Sequence, residues 1–166
     1  MMASANPAEA VDQRLQQLGI PYERHDHPPV FTVDEAVQHW AGIEATHCKN
    51  LFVRNKKGSR HYLIVAEHTK PVRLDAVVAQ LGDDRLSFAS PDRLQRYLGL
   101  TPGSVSPFGL INDAKHEVIV VIDADLRQAS RVGFHPNVNT STTVISLADF
   151  ERFLASTGNV VRWIRI

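Results

Sequence analysis

The residues with the clearest chemical potential lie in three short segments of the chain. Lys49 and Asn50 directly precede the apolar run LFV at the start of a predicted strand. Residues 103–107, GSVSP, lie between a predicted helix and a predicted strand. Residues 133–142, GFHPNVNTST, hold one histidine, two asparagines and three hydroxyl side chains. These segments could offer a ligand a charge, a close backbone approach and hydrogen-bonding side chains.

Each segment also has a plain structural explanation. A lysine at the start of a core strand can extend its amine to water. GSVSP can be an ordinary turn, and residues 133–142 can be a polar surface loop. Residue types and spacing alone therefore leave both interpretations open at all three places.

Familiar signatures of nucleophilic catalysis are missing from the sequence. GSVSP is not a G-x-S-x-G nucleophile elbow, because Val105 occupies the serine position. No phosphate-binding glycine loop of either common pattern is present. His47 and Cys48 are adjacent, so on a strand they face opposite sides and cannot form a dyad. We predict that Cys48 is a buried small apolar residue.

Metal ligands are also not evident. His25 and His27 would share one face of an extended segment, but two histidines need further ligands that the sequence does not offer. Surface histidines on either side of an acidic residue are the simpler interpretation. The sequence therefore predicts neither a metal site nor a bound cofactor.

Composition and charge favour a soluble globular protein. The chain has 166 residues, is 43% hydrophobic, and carries 18 basic and 18 acidic residues. This balance argues against a protein held on duplex DNA mainly by charge. The single cysteine, the lack of a membrane-length apolar run and an N-terminus unlike a signal peptide point to the cytoplasm.

Local signals predict five helices and several strands around these segments. Caps and stop residues place the helices at 7–18, 33–41, 74–81, 91–98 and 147–155. Strand patterns include a hairpin, KNLFVRN and RHYLIVAEH, around the turn KKGS. HEVIVVIDADL is apolar on both faces and is predicted to lie in mid-sheet. The mixture predicts an α/β fold, a largely antiparallel mixed sheet flanked by helices, with residues 1–166 as a single domain.

The three segments, together with HPPVFTVDEA at residues 27–36, resemble the YbaK/ProX family of aminoacyl-tRNA deacylases. These proteins are relatives of the editing domain of bacterial prolyl-tRNA synthetases. The motifs occur in the family's order and extend from about Pro21 to the end of the chain. Lys49-Asn50 and the histidine of GFHPNVN are most similar to the ProXp-ala branch, which removes alanine from mischarged tRNA(Pro).

The resemblance implies a site and a fold. It implies catalytic roles for Lys49 and His135 and a mixed sheet surrounded by helices. The substrate-binding residues that it implies, or that would form the apolar walls of the pocket, are Asn50, Gly103, Ser104, Val105, Ser106, Pro107, Phe31 and Phe134. It also implies an attacking water, helped by the neighbouring ribose hydroxyl, in place of a protein nucleophile.

Within this interpretation Lys49 positions the substrate and stabilises negative charge. Acting as a base would require a pKa far below the usual ~10.4 of a lysine, and no neighbouring sequence feature indicates this. Asn50 and His135 would position groups by hydrogen bonds, and His135 could instead transfer protons. A pocket that admits alanine and excludes proline would complete a double sieve.

The expected partner is the acceptor end of a mischarged tRNA, with prolyl-tRNA synthetase or an elongation factor as further candidates. RNKKGSR at residues 54–60 has four basic residues in seven, so Lys56 and Lys57 could contact the acceptor stem. A solvated turn is an equally good explanation of that segment.

Three other functions are compatible with the sequence. The enzyme could deacylate Cys-tRNA(Pro) or another small aminoacyl-tRNA. The chain could bind nucleic acid without catalysis, with Lys49 as one more phosphate contact. It could also act by docking to a synthetase.

Overall fold

The computed structural model describes residues 6–166. Residues 1–5 lie outside this range. They belong to the N-terminal segment that does not resemble a signal peptide. The helices are α1 Pro7–Gln17, α2 Val33–Trp40, α3 Leu74–Leu81, α4 Pro91–Leu98 and α5 Leu147–Thr157. The strands are β1 Glu23–Asp26, β2 Thr46–Arg54, β3 His61–Glu67, β4 Ser87–Phe88, β5 Val118–Asp123, β6 Arg131–Phe134, β7 Ser141–Ser146 and β8 Val161–Ile164.

The strands form one mixed sheet. Their order is β1-β7-β6-β2-β3-β5-β8, and β4 pairs with β2 beside this path. The pairs β1–β7, β6–β7, β2–β3 and β2–β4 are antiparallel. The pairs β2–β6, β3–β5 and β5–β8 are parallel. The mixed α/β class predicted from the sequence is confirmed.

Strand β2 has two differently paired edges. Along one edge it pairs with β3 from Cys48 to Arg54. Along the other edge it meets β6 at positions 46–47 and β4 at positions 53–54. Among the described strands, none pairs with the stretch of this edge in between. The sheet is therefore split at positions 48–51.

The register of β2 determines which backbone groups face the split. The His47 carbonyl accepts from the His68 N–H on the β3 side, and the Phe52 carbonyl accepts from the Ala89 N–H on the other side. Because successive residues of a strand direct their backbone groups to alternate edges, the N–H and C=O of Asn50 point into the split.

Hydrophobic clusters cover both faces of the sheet. On one face α1, α4 and α5 pack on β3 and β5, with Phe108, Phe150 and Phe153 among the largest buried side chains. On the other face α3 packs on Ile64, Val121 and their neighbours. Strand β5 lies between β3 and β8. Its apolar residues on both faces agree with the mid-sheet position predicted from the sequence.

Local capping chemistry set the helix ends as predicted. The Asn6 side chain accepts from the Ala8 N–H at 2.9 Å, and the Ser90 side chain accepts from the Arg93 N–H at 3.2 Å. Gly82 and Gly99 end α3 and α4 in the left-handed conformation, which glycine adopts without strain.

Two elements were not predicted from the sequence. The end of strand β6 lies in the polar segment 133–142, for which a surface loop was one interpretation, and residues Pro107–Asn112 form a 3₁₀ helix. Strand β6 forms through pairing with β2 and β7, which no local pattern in the sequence indicates. Among residues 6–166, no helix combines the length and the apolar character that a bilayer span requires.

His61 at the start of β3 links the hairpin to α4. It is 2% exposed, and its Nε2 lies 3.0 Å from Arg93 Nη1, which can only donate. The ring also packs on Tyr97, with centroids 4.0 Å apart. Burial, followed by the charge of Arg93, lowers the pKa of His61 from 6.5 to about 4. His61 is therefore neutral at pH 7 in the folded protein.

This depressed pKa predicts acid sensitivity. The unfolded chain takes up a proton at His61 below about pH 6.5, whereas the folded chain does so only near pH 4. The free energy of unfolding should therefore fall by up to about 3 kcal/mol as the pH is lowered through this window. Denaturant unfolding at pH 7, 6, 5 and 4 should show a weaker pH dependence for His61→Gln than for the wild type. Equal slopes for the two proteins would contradict the assignment.

Candidate active site

A cavity of about 240 Å³ lies at the split in the sheet. Four segments of the chain supply its walls: β2 at the split, the start and one face of α2, the loop after α4, and the β6–β7 region. The lining residues are Val30, Phe31, Thr32, Ala36, Trp40, Cys48, Lys49, Asn50, Leu51, Gly103, Val105, Gly133, Phe134, His135 and Thr142. The structure thus brings together all three segments identified in the sequence.

Lys49 and Asn50 supply the polar groups of β2. Lys49 is partly buried, and none of the ion pairs found within residues 6–166 includes it. The side-chain Oδ1 of Asn50 is buried and has no hydrogen-bond partner among the described residues. Since buried polar atoms are nearly always paired, this oxygen is suited to accept a hydrogen bond from a bound ligand.

Cys48 lies in the cavity wall but is not an activated nucleophile. It is a buried free thiol, as predicted from the sequence. Burial, followed by the charge of Glu67, raises the pKa of the thiol well above its ordinary value. Because the thiolate is the reactive form, Cys48 is inert at neutral pH.

The loop after α4 presents two of its residues to the cavity. Thr101 to Ser104 form a turn in which the Ser104 N–H donates to the Thr101 carbonyl at 3.0 Å. Gly103 has φ of +91° in this turn, and a Cβ there would lie 3.3 Å from Phe31 Cδ1. The positive φ favours glycine at this position, and a Cβ there would require the Phe31 ring to shift by a few tenths of an ångström. Gly103 and Val105 line the cavity.

The other residues of this loop lie behind the wall. Ser104, Ser106 and Pro107 are buried, and the cavity lining does not include them. The Ser106 hydroxyl accepts from the Phe108 N–H at 3.1 Å, and Pro107 is the first residue of the 3₁₀ helix. These three residues therefore hold the loop from behind the wall, while Gly103 and Val105 face the cavity.

His135 contributes a neutral imidazole. Its Nδ1 lies 2.8 Å from the Ser141 carbonyl, so Nδ1 carries the proton and Nε2 keeps a free lone pair. Burial lowers the pKa of His135 more than the Ser141 hydrogen bond raises it, and neighbouring His27 lowers it further. The imidazole is therefore suited to accept a hydrogen bond or a proton at pH 7.

Phe134 and Thr142 complete the wall around His135. Phe134 is 2% exposed and packs on Phe150, with ring centroids 4.8 Å apart. The Thr142 hydroxyl lies 2.9 Å from His27 Nε2, and His27 Nδ1 donates to the Pro28 carbonyl at 3.0 Å. Thr142 can thus donate to His27 Nε2, and this hydrogen bond orients the Thr142 hydroxyl at the cavity wall.

Helix α2 covers one side of the cavity. Its cap is the Thr32 hydroxyl, which accepts from the Glu35 N–H at 3.2 Å. The Glu35 carboxylate accepts from the Phe31 N–H and not from the Thr32 N–H, so only one of the two bonds of a capping box is present. Val37 is 41% exposed and does not line the cavity.

Sequence analysis missed several wall residues. Trp40 and Ala36 were recognised only as apolar residues of α2, although their spacing of four places them on one face. Trp40 stacks on His47 with centroids 4.4 Å apart. Gly133 lies against the same ring, and a Cβ there would be 3.1 Å from His47 Nδ1. The pairing of β2 with β6 brings these parts together, and no local signal announces that pairing.

This combination of a cation, an unpaired amide oxygen and a neutral imidazole can bind and polarise a small polar substrate. The model of the aminoacyl-tRNA editing domain family matches residues 27–153, which include every residue named above as lining the cavity. The chain belongs to the aminoacyl-tRNA editing domain family. The family resemblance noted in the sequence is confirmed, and the protein is an aminoacyl-tRNA deacylase, a hydrolase.

Two relatives of this editing-domain protein extend the match beyond the family model. It is 42% identical over 160 residues to the prolyl-tRNA editing protein ProX of Acetoanaerobium sticklandii, covering 95% of this chain and 96% of that protein. It is 33% identical over 162 residues to the prolyl-tRNA synthetase associated domain-containing protein 1 of Bos taurus, covering 95% and 94%.

Solved structures share the fold of the editing domain. A crystal structure of a hypothetical protein matches with a TM-score of 0.73 at 20% identity, covering 92% of this chain and 97% of the other. A candidate trans-editing enzyme for prolyl-tRNA synthetase matches with a TM-score of 0.69 at 19% identity, covering 99% of both chains. At such low identity these matches establish the fold alone.

Lys56 and Lys57 lie outside the cavity of the editing domain. Both are exposed in the turn between β2 and β3, where the Lys56 N–H donates to Asp84 at 2.8 Å. Neither side chain takes part in an ion pair within the part of the chain that is described. Five residue steps of strand β2 lead from Lys49 to Arg54, which corresponds to roughly 17 Å, and Lys56 lies in the turn beyond.

No metal site is evident in the described part of the editing domain. Within residues 6–166, no three histidine, cysteine or carboxylate side chains come close enough together to hold a metal ion. His25, considered as a ligand in the sequence, instead lies 3.4 Å from the Glu23 carboxylate.

Proposed function

We propose that this protein deacylates mischarged Ala-tRNA(Pro) in trans, releasing free alanine and tRNA. The observation that carries the proposal is the small cavity where Lys49, Asn50 and His135 meet. Its volume of about 240 Å³ is below the ~300–1,000 Å³ of pockets for drug-sized ligands, which suits an amino-acid ester. The 42% identical ProX protein, named for prolyl-tRNA editing, supports tRNA(Pro) as the substrate class.

Each polar group of the cavity has its own role in the proposed ester hydrolysis. A water attacks the ester carbonyl, and negative charge develops on the carbonyl oxygen. The Lys49 ammonium stabilises this charge or holds the terminal ribose. Asn50 orients the aminoacyl group through its unpaired side-chain oxygen. His135 accepts a hydrogen bond or a proton through Nε2, and the neighbouring ribose hydroxyl helps to place the water.

Selectivity in this proposal follows from size. A synthetase site built for proline cannot strongly reject the smaller alanine, so a second site must admit alanine and exclude proline. Val105 and buried Phe134 form apolar parts of the cavity wall. We place the alanine methyl against these two side chains.

The first prediction concerns Lys49. We expect the wild type to release alanine from Ala-tRNA(Pro), while Cys-tRNA(Pro) and Pro-tRNA(Pro) stay charged. Lys49→Ala should lower the rate about 100-fold or more, as loss of an electrostatic donor commonly does. The matched control is Lys115→Ala, because Lys115 is exposed and does not line the cavity.

The same assay separates the alternatives. Release of cysteine in place of alanine would move the substrate to Cys-tRNA(Pro). Hydrolysis of none of the three by the wild type would reject the proposed reaction on tRNA(Pro). Equal losses of deacylation rate in the Lys49 and Lys115 variants would show that Lys49 has no specific role in the site.

The second prediction concerns the size of the cavity. Val105→Phe fills space at the wall and should slow alanine removal about tenfold or more, since one methylene in such a pocket changes discrimination by about 10–200-fold. Val160→Phe is the control, because Val160 is 57% exposed and lies outside the cavity. Unchanged rates for Val105→Phe, with folding verified by thermal unfolding, would show that Val105 does not contact the amino acid.

The third prediction concerns the contacts that bind the acceptor stem of the tRNA. We propose that Lys56 and Lys57 contact phosphates of the acceptor stem. Replacing both with alanine should reduce the slope of log Kd against log salt by roughly 1.4–1.8, as expected for two lost phosphate contacts. Lys115→Ala should leave the slope unchanged. A salt dependence equal to that of the wild type would place the acceptor stem elsewhere.

A further inference from the structure

Phe31 lies at the cavity with most of its surface in solvent. It is 67% exposed, the largest exposed fraction among the large apolar side chains that the structure describes. Phe88 has a similar exposure of 65% but does not line the cavity. Single exposed apolar side chains are common on protein surfaces, so it is the position of Phe31 that calls for an explanation.

The backbone around Phe31 is held in place. Its N–H donates to the Glu35 carboxylate at 3.2 Å. The preceding residue, Val30, donates to the Asn139 carbonyl at 3.2 Å and accepts from Asn139 Nδ2 at 3.0 Å. The ring therefore projects from an anchored segment, which reduces the entropy lost when a ligand packs on it.

One side of the Phe31 ring is already occupied. Cδ1 would lie only 3.3 Å from a Cβ at position 103, so the ring rests against Gly103. The remaining surface is open. A side chain this exposed cannot close the amino-acid pocket, which is how the sequence interpretation used it. Phe134, at 2% exposure, is the side chain that can form such a closed wall.

The geometry of the substrate indicates what covers the ring. The ester joins the amino acid to the terminal ribose of the tRNA. When the ester lies in the small cavity beside Lys49 and His135, the base on that ribose must lie outside, near the cavity mouth. Aromatic side chains exposed beside nucleic-acid sites serve as stacking surfaces for bases.

We infer that Phe31 is the platform on which the terminal adenine of the tRNA stacks. This inference rests on the proposed function, and it assigns Phe31 to the nucleotide and not to the amino acid. The stacked base would cover the open surface of the Phe31 ring and hold the ester beside Lys49 in the cavity. Phe31 is in this sense a positioning residue.

The experiment uses two alanylated RNA microhelices with the acceptor stem of tRNA(Pro). One ends in adenosine, and the other ends in the same ribose without its base. For the wild type, removal of the base should lower kcat/KM about 5- to 150-fold, which corresponds to about 1–3 kcal/mol of stacking. For Phe31→Ala, kcat/KM on the adenosine substrate should fall by a similar factor, and the two microhelices should then react alike.

Two further variants complete the test. Phe31→Trp keeps an aromatic surface and should retain the preference for the adenosine substrate. Phe88→Ala should behave as the wild type, because Phe88 is about as exposed as Phe31 but does not line the cavity.

The outcomes separate this inference from the proposed function. A wild type that hydrolyses neither microhelix rejects the function itself. A wild type that prefers adenosine, with the same preference in Phe31→Ala, keeps the function and overturns the role of Phe31. Equal losses by Phe31→Ala on both microhelices would return Phe31 to the amino-acid pocket.

Discussion

The site depends on the incomplete pairing of one strand. A buried strand normally has partners on both edges, because unpaired backbone groups are costly away from water. Strand β2 is held by β3 along one edge, but among the described strands its other edge pairs only at the two ends, with β6 and with β4. The stretch between these pairings opens onto the cavity. Backbone and side-chain groups of Asn50 are thus available to a ligand, while the hairpin keeps them rigid.

The described residues that line the cavity combine one cation with no carboxylate. Lys49 is the one lysine or arginine in that set, which contains no aspartate or glutamate. In the proposed reaction this cation would stabilise a developing oxyanion. His135 would add a lone pair at Nε2 without a competing charge. The proposed chemistry thus depends on placement and electrostatics, and the buried Cys48 thiol is not an activated nucleophile.

The walls of the cavity come from distant parts of the chain, and local hydrogen bonds hold these segments in place. The Thr101–Ser104 turn sets the position of Gly103, and the Ser106 cap fixes the following 3₁₀ helix. Asn139 ties the segment before α2 to the segment that follows β6. Residues that do not touch the cavity are thus as necessary to its shape as those that do. Such preorganisation keeps the groups of the cavity in fixed positions before a ligand binds.

The sequence by itself determined the local structure and the residue types of the site. Caps such as Asn6 and Ser90, the stops at Gly82 and Gly99, and the apolar faces of β5 are short-range signals, and they predicted their elements well. Lys49 and His135 were recognisable from their segments. The tertiary structure alone decided that Ser104 and Ser106 turn away from the cavity and that Phe31 stays exposed. It also decided the split in the sheet, because the β2–β6 pairing joins Thr46 to Val132, far apart in sequence and without a local signal.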